Sequence, residues 1–327
     1  MGKIGLVLVN IGSPAAPDEK SVGIYLKKFL MDKKVIPLPF LLRWILVNGL
    51  IVPRRAKVSA KNYQKIWMKE ENISPLIFYS RKFAEALQQN LGSEYIVRMA
   101  MAHSAPELES VIGELTQIGL SELVVAPMFP QFAEATTGSV RKSVQAPARF
   151  LPPFYKEFAE AQALVAQKSL YGRSFDHYLF SFHGLPEKQI REDQQCRLNE
   201  ACCIQGSGCA RNCYRAQCFE TAELIAQKLK WTREKYSVSF QSRLGRSQWM
   251  QPYTSEVLSQ FPARGIKKVA VFCPSFVVDG LETLEEIGLN GKQLFLECGG
   301  TDFHLVPCPN FSPEWVQIFA DFVATAK

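Results

Sequence analysis

The sequence lacks a segment that could cross a bilayer as a helix. Its apolar stretch at 35–55 is interrupted by Arg43 and has prolines near both ends, whereas a spanning helix needs about 20 consecutive apolar residues. The start, "MGKIGLVLVNIGSP", carries one basic residue and no small-residue cleavage site, which favours a buried first strand over a signal peptide. We therefore expect a cytoplasmic protein.

The sequence has only a modest excess of one charge sign. Lys and Arg number 38 against 31 Asp and Glu, a net charge of +7, but the basic residues form no stripe with interleaved aromatics. That distribution argues against nucleic acid as a partner. Anionic small molecules and an anionic membrane surface both remain open.

A C-x-x-C pair is also missing, although the chain has nine cysteines. Without a secretory signal a disulfide framework is not expected, and the missing close pairs count against a zinc ribbon or knuckle. Successive gaps of five, none, five, three and four residues suit an iron-sulfur cluster better. Zinc and redox-sensing thiols stay open. Six thiols are candidate ligands, four of them for a [2Fe-2S] cluster: Cys196, Cys202, Cys203, Cys209, Cys213 and Cys218.

The remaining three cysteines, Cys273, Cys298 and Cys308, lie apart from this group. We expect them to be buried or structural, because free cysteine packs as a small apolar residue.

Short apolar runs alternate with amphipathic stretches along the chain. This alternation predicts an α/β fold with parallel sheets covered by helices, and 327 residues favour two domains. We predict two doubly wound, Rossmann-like lobes with a ligand cleft between them. The predicted lobes span 1–160 and 161–310, with a C-terminal helix at 311–327 packing on the first. The predicted strands are 4–12, 95–102, 122–130, 177–184, 235–242 and 267–276.

Polar residues that directly follow strands are the first candidates for chemistry, because ligands bind beyond the carboxyl ends of parallel strands. His183 ends the run "HYLFSFHG", and an imidazole there can accept a proton or bind a metal, although a structural histidine is the alternative. Glu282 and Glu286 follow the run at 267–276. Their spacing places both carboxylates on one helical face, where a solvated acidic first turn is the alternative.

A third segment after a strand, "FQSRLGRSQWMQPYT" at 240–254, combines basic and aromatic side chains. Guanidinium groups bind carboxylates and aromatic rings stack on flat ligands, so the segment suits a flat, acidic ligand. A packed surface loop is the alternative. Its candidate contacts are Gln241, Arg243, Trp249 and Tyr253.

Together these motifs resemble the ferrochelatases, which insert ferrous iron into a porphyrin. The resemblance rests on "LVNIGSP", "SFHGLP", "FQSRLGRSQWMQPYT" and "CPSFVVDGLETLEEI" in this order, and it covers essentially the whole chain. It implies a chelatase-type fold with protoporphyrin IX in the cleft, Ile11 among its contacts and Fe²⁺ as the metal substrate. It also implies that His183 and Glu282 carry catalysis and bind Fe²⁺, with Glu286 as a relay.

The sequence departs from the family pattern at several positions. Ala102 and His103 stand where many relatives have an arginine and a tyrosine. Gly280 offers no second histidine, and Asn290 ends the acidic line at Glu286. The C-terminal extension that carries cluster ligands in animal relatives is missing, so an internal cluster is the preferred interpretation.

Several alternatives remain open at this stage. The substrate can be coproporphyrin, or the metal another ion. A two-lobed tetrapyrrole or metal carrier, or a redox-sensing iron-sulfur protein without catalysis, would also share parts of the pattern. The segment 37–53 is interpreted either as a core helix or as an apolar lip that makes peripheral membrane contact. Monomer and homodimer are both open.

Overall fold

The computed structural model describes residues 2–194, 202, 213–243 and 247–326. The chain divides into two compact units. Unit 1 comprises Met1–Met128, Glu134–Pro152 and Phe319–Lys327, and unit 2 comprises Phe129–Ala133 and Pro153–Ile318.

Unit 1 is built on a four-stranded parallel sheet in the order β2-β1-β3-β4. Its helices begin at local signals: the Asp18 carboxylate accepts the N–H of Ser21 at the start of α1, and Ser74 caps α4 ahead of Pro75. The strands are β1 Ile4–Asn10, β2 Tyr95–Met101, β3 Glu122–Pro127 and β4 Arg149–Phe150. The α-helices are α1 Glu19–Leu30, α2 Phe40–Ile45, α3 Val52–Ile66, α4 Pro75–Leu91, α5 Leu108–Thr116 and α6 Ser139–Ser143, with π-helical segments at Leu46–Ile51 and Glu134–Gly138.

Unit 2 repeats this arrangement with a parallel sheet in the order β6-β5-β7-β8. The strands are β5 His177–His183, β6 Tyr236–Gln241, β7 Lys268–Phe272 and β8 Asp302–Leu305. The α-helices are α7 Tyr155–Ser169, α8 Glu187–Gln194, α9 Tyr214–Lys228, α10 Thr254–Gln260, α11 Lys292–Glu297 and α12 Pro313–Thr325, and a π-helical segment spans Leu281–Gly291.

Apolar residues that alternate along the strands of unit 2 form a core on each face of the sheet. Phe180 and Phe182 of β5 pack with Ala222 of α9 on one face. Leu179 packs with Leu258 of α10 on the other. Side chains of a strand point alternately to its two faces, so the sheet is covered by helices on both sides. The α/β class and the doubly wound, parallel arrangement predicted from the sequence are confirmed.

Several local predictions need correction. The strands are shorter than the apolar runs, and the two-residue β4 and four-residue β8 were too short to give a pattern. The helix with Glu282 and Glu286 is π-helical, a form often found at functional sites. Of the three cysteines expected to be buried or structural, Cys273 and Cys308 are buried, whereas Cys298 is exposed at the end of α11.

The stretch at 37–53 is not a core helix. Most of its large apolar side chains are exposed, with Phe40 at 66% and Trp44 at 50%. Arg43 instead turns inward and donates to the main-chain oxygens of Ile36 and Leu38. Within the part of the chain that the structure describes, no helix has the length and apolar character to cross a membrane.

Candidate active site

Two neighbouring strands of unit 2 end in matched polar positions. Strand pairing sets Ser181 beside Ser239 and His183 beside Gln241. The alternation of strand side chains places all of them on one face. The strand order of this sheet reverses between β5 and β7, and ligands bind at the carboxyl ends of strands at such a reversal. His183 therefore lies at the expected place for chemistry.

The ring of His183 is held in one tautomer. Its Nδ1 lies 2.7 Å from the main-chain oxygen of Gly184, and because a carbonyl only accepts, Nδ1 must carry the proton. The neutral ring then presents Nε2 as the nitrogen that can accept a proton or bind a metal. Burial lowers the pKa of His183 below its ordinary value, against a smaller opposing effect of the Gly184 hydrogen bond. The imidazole is consequently neutral near pH 7.

Gly184 is required by a close approach of two main chains. Its N–H donates to the main-chain oxygen of Gln241 at 2.8 Å. A Cβ at Gly184 would lie 2.9 Å from that oxygen and 3.5 Å from the ring of Trp249. The absence of a side chain thus lets the turn after His183 lie against the end of β6.

The amide of Gln241 connects β5 and β6 to the π-helical segment. Its Oε1 accepts the hydroxyl of Ser181 at 2.8 Å, and its Nε2 donates to the main-chain oxygen of Glu282 at 3.0 Å. Gln241 is buried. Gln241, a predicted porphyrin contact, therefore binds the main chain on both sides of the site: its carbonyl accepts the N–H of Gly184, and its side chain donates to Glu282.

Glu282 begins the π-helical segment and lies deep in unit 2 while keeping partial contact with solvent. Burial raises the pKa of its carboxyl to about 7, and the negative charge of Glu286 adds to the increase. Across the residues that the structure describes, no cation contributes to this shift. Near neutral pH the group can therefore gain or lose a proton.

Glu286 stands one turn further along and is held by Ser242. The N–H and the hydroxyl of Ser242 donate to its two carboxylate oxygens at 3.0 and 2.9 Å. Ser242 adopts a left-handed backbone with φ of +69° directly after β6. Burial raises the pKa of Glu286 despite these hydrogen bonds, which act in the opposite direction. The predicted pair of carboxylates is thus brought together, with unequal surroundings.

The loop that follows β6 carries basic and aromatic groups, and its Trp249 ring lies near His183. The Arg243 guanidinium lies 4.9 Å from the centre of the Tyr253 ring, and the Tyr253 hydroxyl donates to the main-chain oxygen of Trp249 at 3.4 Å. The rings of Trp249 and His183 lie 6.5 Å apart. Arg243 is exposed and Trp249 is buried.

Other predicted residues lie elsewhere. Ile11 follows β1 in unit 1, where its carbonyl accepts the N–H of His103 at 3.1 Å. Burial lowers the pKa of His103, whose ring packs edge-on against Phe29 at 5.3 Å. Asn290 donates to Glu285 rather than extending the acidic line.

The cysteine candidates fall into two groups. Cys196, Cys203 and Cys209 lie outside the described residues. Cys202 is half-buried, Cys213 is buried at the start of α9, and Cys218 is fully buried within that helix. Over the described ranges, no group of three or more His, Cys, Asp or Glu is arranged to hold a metal ion.

The hydroxyl groups that support the site were not predicted from the sequence. The hydroxyls of Ser181 and Ser239 both contact the Thr254 hydroxyl, at 2.7 and 2.8 Å. Ser181 in turn donates to Gln241. Ser275 and Ser242 contact His183 and Glu286. The repeated patterns "SFH" and "SFQ" at the ends of two strands were a usable signal for the first pair. Nothing local marked the others.

Comparison with known proteins gives concordant matches. A family model described as Ferrochelatase matches residues 3–327. The chain is 49% identical to the ferrochelatase of Bdellovibrio bacteriovorus, covering 99% of each chain, and 41% identical to that of Coxiella burnetii, covering 97% of this chain and 92% of the other.

Among solved structures, SirB from Bacillus subtilis with Fe³⁺ has the same fold. The TM-score is 0.54 at 12% identity, covering 99% of this chain and 95% of that one. Similarity at this identity concerns the fold alone, whereas the full-length sequence matches identify the relatives. The chain belongs to the ferrochelatase family, the lyases that insert iron into porphyrin.

Proposed function

We propose that this protein inserts Fe²⁺ into protoporphyrin IX and forms protohaem with release of two protons, as a step of haem biosynthesis. One observation carries the proposal: Gln241 is hydrogen-bonded to the main chain of Gly184, directly after the neutral imidazole of His183, and to the main chain of Glu282, whose carboxyl has a pKa of about 7. Metal insertion replaces two pyrrole N–H bonds by bonds to Fe²⁺, so it needs a proton acceptor and a first ligand for the cation. No oxidation state changes.

The two groups suit these tasks. We assign Nε2 of His183 as the acceptor of pyrrole protons or the donor of the metal, and Glu282 as the group at the opposite side of the metal path. Glu286 relays protons or cations to Glu282, with its carboxylate held by Ser242. Either division of roles between His183 and Glu282 is chemically sound, because neutral imidazole and ionised carboxylate both bind ferrous iron.

We assign recognition of the porphyrin to the loop after β6. The exposed guanidinium of Arg243 can pair with a propionate, and the half-buried Tyr253 ring offers apolar surface to the macrocycle. Trp249 is buried beside His183 and remains a predicted contact. Gln241 contributes through the main chain that it orders. Ile11 of unit 1 remains a predicted contact.

An anaerobic assay of the purified protein tests the function. Ferrous iron is supplied with protoporphyrin IX or with coproporphyrin, and metalloporphyrin formation is followed by absorbance. We expect turnover with protoporphyrin IX. Turnover with coproporphyrin alone would change the substrate, and insertion of another divalent ion in preference to Fe²⁺ would change the metal. Binding of porphyrin without insertion would favour the carrier or the redox sensor.

We also propose a [2Fe-2S] cluster held by four thiolates of the cysteine-rich segment. The donor set fits the group, because thiolate is the usual ligand of such clusters. Cys218 is the least suitable of the six candidates. Burial raises its thiol pKa far above the ordinary value, and it lies in the second turn of α9, whereas Cys213 lies at the start of that helix. Cys196, Cys202, Cys203, Cys209 and Cys213 then remain.

Metal and sulfide analysis of anaerobically purified protein tests the cluster. We expect a coloured protein with equal iron and acid-labile sulfide, retained in Cys218→Ser and lost in Cys213→Ser. A colourless protein with trace iron would exclude the cluster. Zinc in place of iron and sulfide would show that the cysteine-rich segment binds zinc.

Peripheral contact with an anionic membrane is a further part of the proposal. The apolar face, defined as Phe40, Leu41, Leu42, Trp44, Ile45 and Leu50, is exposed on α2 and the π-helical segment after it. The adjoining α3 exposes Arg54, Arg55 and Lys57, and residues 33–69 include no Asp or Glu. Apolar side chains next to exposed positive charge favour the surface of an anionic bilayer.

Sedimentation with vesicles tests this contact. Binding should require anionic lipid, weaken with salt and fall in Trp44→Ser. Tyr171→Ser provides a matched control, because Tyr171 is 89% exposed in unit 2. Absence of binding to anionic vesicles at low salt would exclude the contact.

A further inference from the structure

The buried hydroxyl of Tyr214 contacts the main chain of His183. Tyr214 is the first residue of α9 and is 5% exposed. Its Oη donates to the main-chain oxygen of His183 at 2.7 Å and lies 3.0 Å from Oγ of Ser275. That Oγ accepts the N–H of His183 at 3.1 Å. Two hydroxyls therefore bind both polar groups of the His183 main chain.

The directions of these hydrogen bonds follow from the chemistry of the groups. The carbonyl of His183 can only accept, so the phenol proton of Tyr214 points to it. Ser275 then donates its proton to the phenol oxygen while accepting from His183. The three bonds form a closed ring in which each hydroxyl both donates and accepts.

The same peptide unit is held from its other side. The N–H of Gly184 donates to the main-chain oxygen of Gln241 at 2.8 Å. Because a peptide group is planar, bonds at the His183 oxygen and at the Gly184 nitrogen fix its orientation. The next carbonyl, that of Gly184, is the acceptor of Nδ1. The position of this peptide therefore decides which ring nitrogen carries the proton.

Helix α9 also supports the loop that carries Ser275. The amide of Gln131 donates to the hydroxyl of Thr221 on α9 and to the main-chain oxygen of Pro274, both at 3.0 Å. Thr221 lies two turns beyond Tyr214, on the same side of the helix. One helix thus braces both the end of β5 and the loop after β7.

We propose that Tyr214 is a positioning residue for His183: acting with Ser275, its hydroxyl holds the peptide after His183 so that Nδ1 stays protonated and Nε2 faces the substrate. The inference rests on the proposed role of His183 as proton acceptor or metal donor. Tyr214 itself need not touch the porphyrin or the iron.

Removal of the single hydroxyl in Tyr214→Phe tests the proposal. We expect kcat to fall about tenfold while KM for the porphyrin stays within about twofold, since substrate contacts are unchanged. Tyr155→Phe is the matched control. The Tyr155 hydroxyl donates to Glu220 of the same helix at 2.8 Å, and its loss should leave kcat unchanged.

A double-mutant cycle separates a shared ring from two independent effects. Ser275→Ala should lower kcat by a similar factor, and the double variant should lose less than the product of the single losses, because both substitutions break one ring. If Tyr214→Phe does not fold, Ser275→Ala alone decides through the same split between kcat and KM.

A spectroscopic measurement makes the inference independent of turnover. The chain has four histidines, and ¹⁵N NMR with His183→Ala for assignment reports the tautomer of His183. We expect the Nδ1–H tautomer in the unsubstituted protein and in Tyr155→Phe, and a mixture in Tyr214→Phe.

Three results would overturn the inference: an unchanged tautomer, an unchanged kcat in Tyr214→Phe or Ser275→Ala, or multiplicative losses in the cycle. If the unsubstituted protein itself fails to insert metal, the proposed function fails instead, and the tautomer measurement still tests the ring.

Discussion

The two units place a glutamate in the π-helical segment that follows the third strand of each sheet, with opposite electrostatic results. In unit 1, Glu134 accepts a hydrogen bond from Lys34 at 2.8 Å and lies 3.8 Å from Lys142. The Lys34 bond is the main reason that its pKa is lowered. In unit 2, burial and the neighbouring Glu286 raise the pKa of Glu282 to about 7.

This difference shows that the repeated scaffold does not by itself create the chemistry. Both sheets are parallel and have the same strand order. An ammonium group beside Glu134 keeps its charge permanently paired, whereas Glu282 must carry its charge in a desolvated place next to a like charge. Glu134 accepts a hydrogen bond from Lys34, whereas among the described residues no cation contributes to the pKa shift of Glu282, so the buried Glu282 carboxyl is able to exchange protons near neutral pH.

The largest expected difference between the two units concerns turnover. We expect His183→Ala and Glu282→Gln to reduce kcat by roughly 10²- to 10⁴-fold, as for loss of a general acid or base, while porphyrin binding measured by fluorescence quenching persists. Glu134→Gln should leave kcat unchanged. For the histidine, His177→Gln is the control, because His177 begins the same strand and its ring contacts Ser237.

Turnover close to the unsubstituted rate in either His183→Ala or Glu282→Gln would refute the assignment of that residue. A large loss in Glu134→Gln would show that the two glutamates are not distinguished as we argue.

A smaller effect is expected from Glu286→Gln. In its proposed role Glu286 relays protons or cations to Glu282. The substitution removes this relay but leaves Glu282 in place, so kcat should fall about tenfold, equivalent to roughly 1.4 kcal/mol. Removing the like charge also lowers the pKa of Glu282. The acidic limb of the profile of kcat against pH should therefore move to lower pH, and a limb that stays in place would argue against coupling of the two carboxyls.

The pH dependence of the unsubstituted enzyme also distinguishes Glu282 from Glu134. In its proposed role Glu282 must be ionised to bind Fe²⁺ or to accept a proton, so kcat/KM should increase as pH rises through about 7. His183, with a lowered pKa, is already neutral over that range. A limb near the ordinary value of a glutamate would show that Glu282 does not control the rate. Glu134→Gln should not move the limb.

The smallest effects concern stability, and we expect opposite signs for Glu282→Gln and Glu134→Gln. The raised pKa of Glu282 means that the folded state binds more protons than the unfolded state between its ordinary value of 4.5 and about 7. Stability therefore falls as pH rises through that window. At pH 8, Glu282→Gln should increase the free energy of unfolding by about 1 to 2 kcal/mol, less than the full shift implies because the side chain is partly exposed.

Glu134→Gln should instead decrease the free energy of unfolding by up to about 1 kcal/mol at pH 8, which is the contribution of a partly exposed ion pair. Because the folded-state pKa of Glu134 is lowered, its contribution is present above the ordinary pKa and disappears as pH falls through the folded value. Thermal unfolding at pH 5 and pH 8 measures both changes. Equal signs for the two variants at pH 8 would contradict the comparison.

Much of the fold and the centre of the candidate site followed from sequence patterns. Alternating strands and helices predicted parallel sheets, and the positions of His183 and Glu282 after strands made them candidates. Strands as short as β4 and β8 leave no periodic signal, and the π-helical form of Leu281–Gly291 is not distinguishable from an α-helix by apolar spacing. The supporting hydroxyls could not be found, since Ser, Thr and Tyr are common and their partners are distant in sequence.

The sequence by itself determined the class of fold, the family and the residue types available for proton and metal transfer, because these depend on local periodicity and motif order. Tertiary structure alone decided which nitrogen of His183 is available and how strongly Glu282 holds its proton. Ser275 lies 92 residues from His183 and Tyr214 lies 31 residues from it, and the pKa of Glu282 is raised mainly by burial. Such contacts and the exclusion of water exist only after the strand ends have been brought together by folding.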